Sequence, residues 1–395
     1  MKATHRTVRL QLSEPLRISR STTTARDAVW ITVTHEGHSG HGEAVSSVFY
    51  GLDTATIQRH LTRIGREELP RFSGPESALQ GLSEGELATE GAPPAVTAAV
   101  ESALLDLVGK RAGVPVHRLV GAPGAPVATA LTIGITSPLH AARQARNLVE
   151  SGFRIIKVKA GTPDPEDDIE RVRAIRDAAP HARLLLDPNG AWTVPQARKL
   201  LHTYAELGIE AVEQPVAPGD PEAFGALAER SPLPLIADED AVSLADARRL
   251  AGRVHGINVK LAKCGGVHAA ARIAALLEGS GTDLMLGCLT ASTLGLAPAV
   301  HLASRARWAD LDGHLLLAYD PWTGIGGTDG TVVPNGLPGL GVAPREYKGT
   351  KGAKGSKGER AEGELSEGER AEGDPKEGER AEGELKEGER YEDVA

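Results

Sequence analysis

Hydrophobic and polar positions alternate along the first fifty residues. Val8, Leu10 and Leu12 take every second place, and Val29, Ile31 and Val33 do the same. Period-two patterning predicts half-buried strands, with a turn around Gly37 to Gly40 and another strand near Glu43 to Val45. The stretch from Ser13 to Asp27 is polar and rich in Ser, Thr and Arg. It has the composition of a mobile lid or of a long surface connection. Residues 54–121 change to helical spacing. The clearest helix runs from about Pro94 to Ala112, opened by two prolines and closed by Gly113. Val96, Val100, Leu104 and Leu107 form its apolar face. Residues 1–122 are thus predicted as a small α+β domain.

From Val127 short apolar runs alternate with amphipathic helical segments. Strands are predicted near residues 127–135, 154–160, 183–187, 210–213, 234–238, 256–261, 283–287 and 308–312, at spacings close to 25 residues. Repeated βα units with nearly continuous apolar strands imply a parallel sheet covered by helices. Eight of them predict an α/β fold of the TIM type, a (β/α)7β barrel over residues 123–315. An open doubly wound sheet is the alternative, but no Gly-x-Gly-x-x-Gly turn follows the first strand. Residues 316–346, rich in Gly and Pro, are expected to pack back on the first domain. Residues 347–395 repeat Gly-Glu-Arg with a period of ten. Such a charged, low-complexity tail cannot bury enough surface to offset its ordering entropy and is predicted to be disordered.

Composition and charge narrow the function classes. The 395 residues are 41% hydrophobic and 25% charged, an ordinary globular mixture. Aromatics make up only 3%, so Ala, Val, Leu and Ile must build the core. The tail from Lys348 holds 10 basic and 15 acidic residues, which is −5 of the net −9 and leaves −4 for the body. Neither part is a basic footprint for nucleic acid. No apolar run is long enough for a membrane span, and the N-terminus lacks a signal-peptide core. Two cysteines, Cys264 and Cys288, are too few for a disulfide framework, so a reducing cytoplasm is expected.

In a parallel barrel, chemistry sits at the carboxyl ends of the strands. The second strand ends in Lys157-Val-Lys159, with both lysines on one face. Paired ammonium groups in an apolar strand need an anionic neighbour. Asp187, Glu213 and Asp238 end the third, fourth and fifth strands, 26 and 25 residues apart. One acid alone is commonly a helix cap. Three in register project into one mouth and repel unless a cation joins them, and oxygen ligands favour Mg2+. Lys260 ends the sixth strand, opposite Lys159 in an eight-strand ring, although spacing alone does not choose between Lys260 and Lys263. Two lysines on opposite faces suit a 1,1-proton transfer, one removing a proton and the other returning it.

These residues resemble the enolase superfamily in its muconate-lactonising branch. The matching text is Lys157-Val-Lys159, Asp187-Pro-Asn189, Glu213-Gln-Pro215, Asp238-Glu239 and Lys260-Leu-Ala-Lys-Cys-Gly-Gly266, with Ala99 to Asp106 resembling a lid-domain helix. The resemblance covers about residues 1–345. It implies that Lys159 and Lys260 are the acid/base pair and that Lys157 gives electrostatic support. It also implies one Mg2+ per subunit on Asp187, Glu213 and Asp238, with Asn189 and Glu239 behind the ligands. The implied chemistry is abstraction of a proton α to a carboxylate, giving an enediolate. Lysine must lose its proton to act as base, and its cationic neighbours are expected to lower its pKa.

The branch includes cycloisomerases, succinylbenzoate synthases, N-acylamino acid racemases and dipeptide epimerases. Asp310-Leu-Asp312 resembles the acidic pair with which the epimerases hold a substrate α-ammonium group. Thr132 and Arg20 are further expected substrate contacts. The implied reaction is inversion of the carboxyl-terminal residue of a dipeptide such as alanyl-glutamate, from cell-wall peptide turnover. Arg20 and Arg26 are placed to greet an acidic side chain. Ala291 stands where many relatives carry an acid, which bears on side-chain preference. The expected partners are a dipeptide and further copies of the chain, with neither nucleic acid nor membrane. The rivals are the other reactions of the branch and a catalytically inert scaffold that binds a small molecule.

Overall fold

The computed structural model describes residues 1–345; the predicted low-complexity tail lies outside the described residues. The chain opens with an antiparallel sheet of β1 (Lys2–Ile18), β2 (Ser21–His35) and β3 (His38–Val45). Val8, Val29 and their period-two partners lie within these strands as the alternation requires. The segment expected to be a loop is a correction. Ser13 to Asp27 is largely the distal half of the β1–β2 hairpin, pairing Leu16 with Thr23 and Ile18 with Ser21 beyond an irregularity after Gln11. Its inner positions Leu16, Ile18, Thr23 and Ala25 are only half-buried among polar residues, so its text imitated a loop. Its β-branched Thr22, Thr23 and Thr24 are nonetheless good strand formers.

The helix Pro94–Ala112 lies directly on β3. Pro94 starts it, and Gly113 ends it in the left-handed conformation at φ 71°. Close approach depends on glycine at two strand positions. A Cβ on Gly40 would meet the Ala103 carbonyl oxygen at 2.1 Å, and one on Gly42 would meet that of Ala99 at 2.0 Å. Asp106, fully buried in this helix, accepts from His41 N and from Leu340 N of the carboxyl-terminal segment, each at 2.9 Å.

A short β4 (Val127–Ala128) precedes the barrel. The barrel strands are β5 (Ala130–Ile133), β6 (Ile155–Lys159), β7 (Arg183–Asp187), β8 (Ile209–Glu213), β9 (Leu235–Ala237), β10 (Gly256–Val259), β11 (Asp283–Gly287) and β12 (Trp308–Asp310). They form one parallel sheet in chain order. The sheet curls until β12 reaches β5, and side chains join the seam. Thr129 Oγ1 accepts from Leu311 N, and Asp312 Oδ2 accepts from Thr132 N, both at 2.8 Å.

Inside the ring, Ala130, Ile155, Leu185, Ala211, Ile236, Met285 and Trp308 make a separate apolar layer. Ile155 lies two residues before Lys157 on the same face of β6, so this layer floors the lysine-bearing mouth. Among the described residues no helix is long and apolar enough to cross a membrane.

Candidate active site

Lys157 is 1% exposed, which makes its ion pairs obligatory. Its Nζ lies 2.6 Å from Glu213 Oε2, 2.7 Å from Asp310 Oδ2 and 3.2 Å from Asp187 Oδ2. Burial pushes its ammonium down, but these acids outweigh burial and hold its pKa well above the usual lysine range. Lys159, two residues on, stands at the rim and pairs with Asp187 Oδ2 at 2.5 Å.

Lys260 follows β10, four strands round the ring from β6, and pairs with Asp238 Oδ2 at 2.8 Å. Its neighbour Lys263 is tied down by three oxygens: Asp238 Oδ1 at 2.5 Å, Asp238 O at 2.6 Å and Asn258 O at 3.0 Å. A lysine with all three protons committed is a strut, so Lys260 is the one free to work. The expectation of lowered lysine pKa values needs correction at Lys260. Burial pushes it down, yet the attraction of Asp238 and Glu213 prevails and raises it. Carboxylates, rather than fellow ammonium groups, dominate its surroundings.

The three predicted ligands enter the same mouth in different electrostatic states. Burial raises the Asp187 carboxyl, but Lys159 and Lys157 overcome it and hold the group down at about 2. Asp238 is likewise held well below the usual range, Lys260 and Lys263 outweighing burial. Glu213 is pushed up to about 7 by burial and by the Asp187 charge, against the pull of Lys157. Among the described residues no three acidic, His or Cys side chains close on one point, because lysines serve as their counter-ions.

The residues nonetheless fit a divalent cation. Six buried carboxylates (Asp187, Glu213, Asp238, Glu239, Asp310 and Asp312) face four buried lysines. Arg20 balances one acid and leaves negative charge in excess. Glu213 Oε2 approaches Lys157 without hydrogen-bond alignment, and Asp310 Oδ1 and Glu239 Oε2 accept no hydrogen bond. Hard oxygen donors with spare lone pairs are what Mg2+ prefers.

Backbone strain marks the same rim. Among the described residues three non-glycine positions have positive φ, and two of them, Asn189 (51°) and Gln214 (37°), closely follow Asp187 and Glu213. Asn189 N donates to Asp187 Oδ1 at 2.9 Å, which fixes that carboxylate. The Gln214 side chain accepts from Asp238 N at 3.0 Å and donates to Asp240 Oδ2 at 2.7 Å. Asn258 donates to Glu213 Oε1 at 2.8 Å. Sequence reasoning assigned no role to Gln214 or Asn258, and it held Lys263 only as the alternative to Lys260. Asn258 was within reach, because it lies two residues before Lys260 in the same strand text.

At the end of β12 the acidic pair divides. Asp310 faces Lys157, whereas Asp312 bonds the Thr132 amide across the barrel seam. Burial and the Asp310 charge push Asp312 up to about 6. Thr132 is therefore brought to the pair through its backbone. Arg20, at the hairpin tip, donates to Glu239 Oε1 at 2.7 Å and to Asn189 O at 3.0 Å, and its guanidinium stacks 4.1 Å from the Phe49 ring centroid. Arg26 faces elsewhere, donating to Ser46 O at 3.0 Å. Ala291 is buried beside Ser292, whose amide donates to Glu43 of β3 at 2.8 Å.

Behind Lys159 lies a buried ion pair. Arg171 contacts Asp168 and donates to Lys159 O at 3.1 Å, while Asp168 Oδ2 accepts from Gly161 N at 2.7 Å and Thr162 N at 3.0 Å. The pair clamps the backbone that carries the lysine. Arg171→Met is predicted to cost about 3–5 kcal/mol in denaturant unfolding, because Asp168 keeps a buried charge without its counter-ion. Asp168→Asn combined with Arg171→Met should recover part of that loss. A single variant as stable as the parent would refute the clamp.

The chain was compared with known proteins. Residues 1–121 match the mandelate racemase / muconate lactonizing enzyme N-terminal domain, and residues 140–348 match the enolase C-terminal domain-like family. A hydrophobic dipeptide epimerase of Roseobacter litoralis is 33% identical over 346 residues, covering 86% of this chain and 98% of that protein. An L-Ala-D/L-Glu epimerase of Bacteroides thetaiotaomicron is 31% identical over 344 residues, 87% of this chain and 88% of its own length. Among solved structures, the dipeptide epimerase of Enterococcus faecalis complexed with Mg and L-Leu-L-Tyr superposes with a TM-score of 0.81 at 32% identity. That match spans 87% of this chain and 99% of that one. With both domains matched and relatives aligned over nearly their whole lengths, the chain belongs to the mandelate racemase/muconate lactonizing enzyme family of the enolase superfamily.

Proposed function

We propose that the protein is a Mg2+-dependent dipeptide epimerase that inverts the α-carbon of the carboxyl-terminal residue by two-base proton transfer. The observation that carries this reading is the placement of Lys159 and Lys260 on opposite walls of one mouth, with Asp310 and Asp312 on the last strand between them in the ring. Support comes also from relatives named as dipeptide epimerases.

Asp187, Glu213 and Asp238 would hold the cation, which when bound supplies a positive charge for the substrate carboxylate. The substrate ammonium group meets Asp310 Oδ1, which accepts no hydrogen bond, and Asp312 Oδ1, which Cys288 Sγ reaches at 3.7 Å. One lysine Nζ takes the α-proton, and the electron pair spreads onto the carboxylate oxygens as an enediolate. The opposite lysine returns a proton to the other face. Lys157, sealed beneath the rim, offers a fixed ammonium to the developing negative charge. Asn189 and Glu239 hold the rim around the ligands, and Arg20 latches the hairpin over it. The same reading places the enzyme in the cytoplasm, where Cys264 and Cys288 stay free thiols, and keeps self-association as part of the proposal.

The test is α-proton exchange in D2O, followed by NMR with Mg2+ over a dipeptide panel, N-acylamino acids and a succinylbenzoate precursor. Dipeptides with a free amino terminus are expected to exchange and epimerise. Exchange confined to N-acylated amino acids, or turnover of the succinylbenzoate precursor alone, would refute the epimerase. A protein that binds dipeptide and metal without turnover is the inert scaffold.

A further inference from the structure

Lys260 opens a short, tightly wound stretch of chain. Its carbonyl oxygen accepts from Lys263 N at 2.8 Å and from Cys264 N at 3.1 Å, which winds Leu261–Cys264 into one helical turn. Gly265 N and Gly266 N then both donate to Leu261 O at 3.0 Å, and the chain passes straight into the helix Val267–Leu277. Toward the mouth, the Lys263 ammonium ties this stretch to Asp238. At its far end it is held by a residue of the N-terminal domain.

That residue is Glu101, from the helix Pro94–Ala112. It is 3% exposed. Its Oε2 accepts from Val267 N, and its Oε1 accepts from His268 N at 3.1 Å and contacts His268 Nδ1. The first amides of a helix need acceptors, and the N-cap Gly266 has no side chain to supply one. A carboxylate from the other domain takes that place, with the favourable charge for a helix N-terminus. The fit is close. Gly266 has φ 122°, and a Cβ there would overlap Glu101 Oε2 and meet Ala98 Cα at 3.4 Å.

The opposite wall is held differently. The backbone of Lys159 is clamped by Arg171 and Asp168, which belong to the barrel itself. A base acts only from a near-attack position, and a misplacement of about 1 Å can cost about a hundredfold. Loosening one clamp should therefore weaken one base and spare the other.

We propose that Glu101 is the positioning residue of Lys260: by fixing residues 266–268 it sets where the Lys260 ammonium stands, and so governs proton transfer on one face of the substrate. The proposal rests on the two-base reading above. The hydrogen bonds of Glu101 go to Val267 and His268, so it acts through the chain and not on the substrate.

The experiment is α-proton exchange in D2O with Mg2+, measured separately from an L,L dipeptide and its L,D epimer. Lys260→Ala identifies the epimer whose proton faces Lys260. Glu101→Ala is expected to slow exchange from that epimer by about 10–100-fold more than exchange from the other. Glu101→Gln matches the parent in size and loses one acceptor. It should show the same bias to a smaller extent, and it carries the test alone if the alanine variant does not fold. Arg171→Met combined with Asp168→Asn, on the other wall, should bias the loss toward the opposite epimer. Equal loss on both faces in the folded Glu101 variants, or no loss, would overturn the proposal. If the wild type exchanges no dipeptide, the epimerase reading itself fails. Amide hydrogen exchange then decides the clamp separately. Glu101→Gln should speed deuterium uptake over residues 260–268 and leave residues 155–162 as in the parent, and unchanged uptake over 260–268 would refute it.

Discussion

Lys159→Ala and Lys260→Ala are each expected to lower epimerisation by about 10²–10⁴-fold, the range over which a positioned acid or base contributes. The two losses should differ in kind. Each variant keeps one lysine, so each retains α-proton exchange with the epimer whose proton faces that lysine. Complementary exchange from L,L and L,D dipeptides would identify which wall each base serves. Full epimerisation by either variant would end the two-base reading. Exchange of both epimers by one variant would likewise leave the other lysine without a role. Lys263→Ala is the useful contrast. That ammonium carries three hydrogen bonds and stands behind Asp238, so its removal should lower stability, with the remaining activity still equal on the two faces.

Removing the divalent cation should cost about a thousandfold in rate, which corresponds to about 4 kcal/mol of transition-state stabilisation. Melting temperature provides a readout independent of turnover. Mg2+ at about a hundred times its Kd adds about 2.7 kcal/mol to the stability of the folded protein. Glu213→Gln is the variant of choice, because its Oε1 partner Asn258 can remain while a ligand charge is lost. It should melt below the parent in chelator, because buried Lys157 loses one of its three acids, and gain much less from added Mg2+. An equal Mg2+ shift in parent and variant would remove Glu213 from the ligand set. Full activity in chelator would remove the cation from the chemistry.

Much of this site was legible in the chain because a parallel barrel repeats itself. Each βα unit returns the backbone to the mouth, so acids at 187, 213 and 238 had to arrive there together. Period two put Lys157 and Lys159 on one face, and the apolar layer containing Ile155 beneath them follows from the same rule. The hairpin was misjudged for an equally physical reason. Residues 13–27 pair across the hairpin while their inner face is only half-buried, Leu16 packing at the edge of the core, so the alternation is weak and polar.

The sequence by itself determined the fold class, the list of ionisable groups and the strand ends that carry them, since periodicity and spacing are properties of the covalent chain. Tertiary structure alone decided how those groups are coupled. It buried Lys263 against three oxygens and left Lys260 with one carboxylate, a distinction that spacing could not make. It gave Asp312 a structural bond across the barrel seam and turned Asp310 to Lys157. It also engaged Arg20 on Glu239 and Arg26 on the Ser46 carbonyl, leaving neither turned toward a substrate. Charge balance, desolvation and cavity shape depend on distances between residues far apart in the chain, and only the folded protein sets those distances.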